Sequence, residues 1–158
     1  MIELILSALC DTFKAAGITA VREFPADRLP DFEDFLVCVG ILSSRSLSSG
    51  FGDYLGTRSD PLTLLESELY ALRLELEISL DIYARPGSNP GLGLISEALA
   101  SLPSGLRFIE LRSGETRFDR DTELLKTPAT LKGSAYLTAA ADEDCGEFYD
   151  FVLKGVVE

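Results

Sequence analysis

The stretch LRLELEISLDIYA, residues 72–84, alternates between apolar and polar side chains almost without error. Its even-numbered positions carry Leu, Ile or Ala, and its odd-numbered positions carry Arg, Glu, Ser, Asp or Tyr. Successive side chains of a β-strand point to opposite faces, so this pattern predicts one long strand with its even-numbered residues in the core. A helix starting at Leu72 would need apolar residues at 75 and 79, where the chain has Glu75 and Ser79. We therefore predict a strand, starting near Glu68.

Other segments predict two helices and several further strands. Apolar residues at helical spacing from Ile2 to Phe13, followed by Gly17, predict an N-terminal helix packed on the core. A second helix is predicted within 88–105, with Asn89 as its cap. The segment FLVCVGIL, 35–42, is apolar at both parities, which is typical of a strand covered on both faces.

Towards the C-terminus the pattern predicts two short strands on either side of Ser113-Gly114 and an alternating strand over 130–139. The order of elements predicts a single α+β domain over 1–158. We expect a mainly antiparallel sheet with a long two-stranded pair and both helices packed on one face.

The segment 43–61 is rich in serine and glycine and has no periodicity, so we predict a long mobile loop there. Phe51, Tyr54 and Leu55 are unusual in a segment that only contacts solvent, and we expect them to contact a partner surface. The face of the long strand that carries the odd-numbered, polar residues is a second candidate interface. The candidate interface residues are Phe51, Tyr54, Leu55, Arg73, Glu75, Glu77 and Asp81.

Composition bears on the function classes. The formal charge of −12 disfavours general affinity for nucleic acid or anionic membranes, and no apolar run approaches the ~20 residues of a membrane span. The chain has no histidine, which removes His-based nucleophile systems and His-ligated zinc. Acidic turns at 119–123 and 142–147 lack the glycine spacing of a calcium loop. We expect no catalytic residue, no cofactor and no metal.

A family resemblance enters with the order of the elements. The N-terminal helix, the strand closed by REFP, the strand pair around 43–61, and the segments LDIYARPG and FIELRSGETRFDRDTELLKTPATLKGSAYL together resemble tail terminator proteins of long-tailed bacteriophages and prophages. The resemblance covers most of the chain by architecture.

This resemblance implies a hexameric ring that caps the tail tube, stops its polymerisation and joins it to the head connector. It implies assembly in the host bacterial cytoplasm and a final place in the virion, with DNA passing through without sticking. Another head-completion or neck protein, and a monomeric ligand-binding α+β domain without catalysis, are the alternatives. Only the ring-forming classes would give particles of several protomers.

Overall fold

The fold is a single α+β domain in which two helices pack on one face of a mixed, mostly antiparallel sheet, as predicted. The structure is a computed structural model that describes residues 1–22, 30–48, 53–59, 61–64, 66–141 and 152–153. The strands are β1 (Thr19–Val21), β2 (Phe35–Ser48), β3 (Tyr54–Ser59), β4 (Glu66–Ala84), β5 (Leu106–Ser113), β6 (Arg117–Asp119), β7 (Leu124–Ala141) and β8 (Val152–Leu153). The sheet runs in the order β1-β2-β4-β7-β5, while β3 joins β4, and β6 and β8 join β7.

Helix α1 (Ile2–Ala15) has the predicted buried face and the predicted glycine end. The Gly17 amide donates to the Lys14 carbonyl and the Ile18 amide to the Phe13 carbonyl, at 3.0 and 2.9 Å. Gly17 has a φ of 79°, so this is a Schellman ending that a residue with a side chain adopts poorly.

Helix α2 (Leu92–Leu99) is shorter than the predicted segment, and its N-cap is Gly91. Asn89 lies before the helix, where its Oδ1 accepts a hydrogen bond from the Gly91 amide. The prediction of Asn89 as the cap is therefore wrong by two residues. A Cβ at Gly91 would lie 2.1 Å from the Phe35 ring, so the close packing of the helix entry on β2 favours glycine there.

The predicted facing of the long strand is confirmed. Every even-numbered residue of β4 from Leu74 to Ala84 is buried in the main hydrophobic core, together with the inner faces of α1 and α2. Strand β4 pairs antiparallel with β2 on one side, and with β7 on the other from Glu68 to Ala84.

The prediction of a loop over 43–61 is wrong for 43–48 and for 54–59. Residues 43–48 continue β2, which stays paired with β4 as far as Ser48 opposite Leu72. Residues 54–59 form β3, which pairs with the N-terminal part of β4, on the side of β4 that β2 occupies further along. Serine and glycine have a weak preference for strands, so the side chains of this segment do not indicate a strand. Its residues are held in the sheet by backbone hydrogen bonds. Phe51 lies outside the described residues.

The two short strands predicted about Ser113-Gly114 exist, but they do not form a hairpin with each other. Both β5 and β6 run antiparallel to β7, one after the other, and the chain reverses only after Asp119. At the break between them, the Gly114 amide donates to the Pro128 carbonyl at 2.7 Å. Proline cannot donate to a ladder, and Pro128 sits where the edge strand is interrupted.

Bulges in two strands decide which residues face away from the helices. In β2 the register shifts between Ile41 and Ser43, and in β5 it shifts between Phe108 and Glu110. Each extra residue moves all later side chains to the opposite face. At the second bulge, a Cβ on Gly133 would lie 2.3 Å from the Arg107 carbonyl oxygen.

Candidate functional site

The sheet face opposite the helices, which we call the polar face, carries the odd-numbered residues of β4. Arg73, Glu75 and Glu77, three of the predicted interface residues, line one open cavity of about 500 Å³ on this face. The remaining lining comes from three other strands: Ser43 and Arg45 of β2, Arg107 and Ile109 of β5, and Lys132, Gly133, Ser134 and Tyr136 of β7, with Leu76 of β4 at the base.

Two acidic residues of β4 on the polar face pair with cations on β7, so the face is not the uniformly acidic surface that β4 alone indicates. Lys132 lies 3.4 Å from Glu77, and Lys126 lies 2.8 Å from Asp81. Both pairs are partly exposed, and pairs of that kind contribute at most about 1 kcal/mol each to folding. Their effect here is to neutralise the acids locally.

Three arginines around the cavity are different, because no carboxylate in the described part of the chain pairs with them. They are Arg45, Arg73 and Arg107. The Arg73 guanidinium lies over the Tyr136 ring at 5.8 Å from its centroid, and its buried Nε has no hydrogen-bond partner. A buried N–H without a partner costs about 1–3 kcal/mol relative to one that is hydrogen-bonded.

The far end of the polar face is covered. Phe32 packs with Leu36, Tyr83 and Leu124 in a second small cluster. Tyr83 is therefore buried although it belongs to the polar parity of β4, a point that alternation alone does not predict. Burial raises the pKa of the Tyr83 phenol, and the hydrogen bond to the Asp81 carboxylate raises the pKa of Lys126.

Beyond the helix-covered core the sheet continues as a narrower extension, which we call the arm. It consists of β3, residues 61–64 and residues 66–71 of β4. Tyr54 packs edge-on against Tyr70, with ring centroids 5.7 Å apart. The arm exposes four large apolar side chains: Tyr54, Leu55, Leu62 and Leu64.

One long edge of the sheet is uncovered in the part of the chain that is described. Strand β1 covers β2 only opposite 36–38, so from Val39 to Ser48 the outer side of β2 has no strand partner there. Strand β3 likewise pairs only with β4 among these residues. This edge, which we call the open edge, consists of residues 39–48 and 54–59. It has two cations, Arg45 on β2 and Arg58 on β3, and no proline.

The predicted interface residues thus fall into separate places. Arg73, Glu75 and Glu77 share the cavity, Asp81 lies further along the same face beside Lys126, and Tyr54 and Leu55 lie on the arm. Arg45 and Arg107 were missed. They join the cavity only through the pairing of β2 and β5 into the sheet, and Arg45 faces the cavity only because of the bulge in β2.

No group of three or more carboxylate or cysteine side chains capable of holding a metal ion occurs within the described ranges. No described helix is long and apolar enough to cross a membrane. Neither a protein-family model nor a curated protein matches the chain.

Proposed function

We propose that this chain is a structural, non-enzymatic protein of phage or prophage virions, a tail terminator that assembles into a ring, caps the tail tube and joins it to the head. The observation that carries the proposal is the open edge, continued by the apolar side chains of the arm. A sheet edge of this length offers backbone donors and acceptors to another chain. A head-to-tail contact between identical chains that closes on itself forms a ring.

The arm supports the same assembly. Leu62 and Leu64 are 92% and 81% exposed, and Leu55 is 55% exposed. Exposed apolar side chains on one part of a sheet favour a contact with a partner surface. In the proposed ring, the arm of one protomer packs against its neighbour or against the tail tube.

The net charge fits a passage for DNA. A charge of −12 on each chain repels a phosphate backbone, so DNA would pass the ring without binding to it. The same charge opposes the approach of two protomers, and salt weakens that repulsion because the screening length falls from ~10 Å at 0.1 M to ~3 Å at 1 M. Assembly of the isolated protein is therefore expected to increase with salt.

The test is light scattering behind a sizing column, over a series of protein and salt concentrations, with negative-stain images of any large species. We expect a ring with a mass several times the 17.2 kDa of the chain. A variant carrying Leu55→Asp and Leu62→Asp should assemble less. Leu94→Asp on α2, where the leucine is 49% exposed, is the matched control and should assemble normally. A chain that stays monomeric in every condition, and with a purified tail-tube protein, contradicts the proposal.

The cavity on the polar face favours a second candidate, a monomeric ligand-binding α+β domain without catalysis. Its volume lies within the roughly 300–1,000 Å³ that is typical of small-molecule sites. Particle size separates the two candidates, because the monomeric domain predicts one protomer at all concentrations. Ring size and partner contacts would in turn separate a tail terminator from another head-completion or neck protein.

A further inference from the structure

We propose that the cavity on the polar face binds a small polyanion that carries at least two phosphate or carboxylate groups. The proposal rests on Arg45, Arg73 and Arg107 and does not depend on ring formation. Planar guanidinium groups pair with both kinds of oxyanion through two parallel hydrogen bonds, so the shared ligand chemistry is an oxyanion.

Local charge is the first argument. The whole chain has nearly twice as many acids as cations, yet the cavity lining has four cations against two carboxylates. Glu77 is already engaged by Lys132 and by the Ser43 hydroxyl, whose Oγ donates at 3.4 Å. Three arginines then face a single unpaired carboxylate, that of Glu75. A cation cluster on so acidic a chain attracts an anion where the rest of the surface repels it.

The state of Arg73 is the second argument. Its side chain is half-buried, held against Tyr136, and its Nε–H is enclosed without an acceptor. A ligand oxyanion that reaches this N–H would satisfy a donor that the described residues leave unsatisfied.

Shape is the third argument, and it favours a small molecule over a flat protein surface. The cavity is a depression over four neighbouring strands, and Ile109, the extra residue of the bulge in β5, lines it and is 78% exposed. Ile109 and the Tyr136 ring give the cavity an apolar part beside its charged part. A few charged groups placed around apolar walls are the usual composition of a ligand site.

The experiment is calorimetric titration of the full chain with pyrophosphate and, separately, with citrate, at constant ionic strength set with chloride. Nitrogen-15 NMR follows the Arg73 Nε–H resonance in parallel. We expect saturable binding of at least one probe and a shift of that resonance. Tighter binding of pyrophosphate would identify a phosphate ligand, and tighter binding of citrate a polycarboxylate.

Variants locate the site. Arg45→Gln and Arg107→Gln change exposed side chains and should leave the fold intact by circular dichroism, while each weakens binding about tenfold or more through loss of a charge-assisted hydrogen bond. Arg120→Gln, an exposed arginine of the turn after β6 with no ion pair among the described residues, is the matched control and should bind as the parent chain does.

Three results would overturn the proposal. One is the absence of saturable binding of either probe. Another is equal affinity in the parent chain and in the cavity variants. The last is binding of a short DNA duplex alone, which would assign the polar face to nucleic acid instead of a small polyanion.

Discussion

Truncation of Leu80 to alanine tests the core that β4 builds. Leu80 is fully buried, in the middle of the strand, and its direct neighbours are Val39 of β2 and Ala129 of β7. A strand paired on both sides can relax little around a lost side chain. We therefore expect Leu80→Ala to lower the free energy of unfolding by an amount near the middle of the usual range of about 2–5 kcal/mol. Total stability of a domain is about 5–15 kcal/mol, which makes this a large share. For a chain of this size each 1 kcal/mol lowers Tm by roughly 2–4 °C.

The matched control is Glu75→Ala on the opposite face of the same strand. Glu75 is exposed and forms no ion pair within the described ranges, so its loss should change stability by less than about 0.5 kcal/mol. Urea unfolding followed by circular dichroism gives both free energies of unfolding, and equal slopes against urea show that the unfolded states match. Similar losses for the two variants would refute the facing of β4, and so would a loss below about 1 kcal/mol for Leu80→Ala.

Two further predictions concern the sheet. Gly133→Ala should cost about 1–3 kcal/mol, because its Cβ would meet the Arg107 carbonyl oxygen, whereas Gly93→Ala on α2 has open space and should be neutral or stabilising by thermal unfolding. The raised pKa values of Tyr83 and Lys126 mean that the folded state holds both protons more tightly than the unfolded state does. The stabilisation that these two groups contribute is complete below pH 10.0. It is lost as pH rises through their folded-state pKa values, which lie above 10.0 for Tyr83 and above 10.5 for Lys126. Tyr83→Phe should make that alkaline loss shallower, because it removes the phenol and with it a group that raises the pKa of Lys126, and an unchanged slope would contradict the argument.

The sequence alone was sufficient to predict the elements in which apolar side chains recur with the period of a helix or a strand. Helix α1 and the facing of β4 follow from apolar periodicity, because both elements bury one side against the core. Periodicity could not predict the pairing of 43–48 and 54–59, where backbone hydrogen bonds to β4 decide the structure. Ser113-Gly114 has the composition of a turn, yet the hydrogen bond from Gly114 to Pro128 keeps the chain beside β7.

The cavity could be predicted only in part. Arg73 stands out on the polar parity of β4, but Arg45 and Arg107 come from distant parts of the chain and join it through strand pairing. A sequence pattern extended through 35–48 would also place Arg45 on the wrong face, because the bulge reverses the parity of β2. Bulges are set by local backbone geometry, and no residue type in ILS, residues 41–43, marks one.

The long pairing of β4 with β7 has a consequence for how the domain reaches its fold. The pair Ala84–Leu125 closes a loop of roughly 40 residues and the pair Glu68–Ala141 one of roughly 70, a difference of only about 0.5 kcal/mol in closure entropy. Burial differs far more, since the buried even-numbered side chains of β4 lie from Leu74 onwards, towards Ala84. Pairing should therefore begin beside the helices and extend outward to the arm. The arm would then be the last part of the ladder to pair. Its structure depends on the hydrophobic core beside the helices, which lies outside the arm.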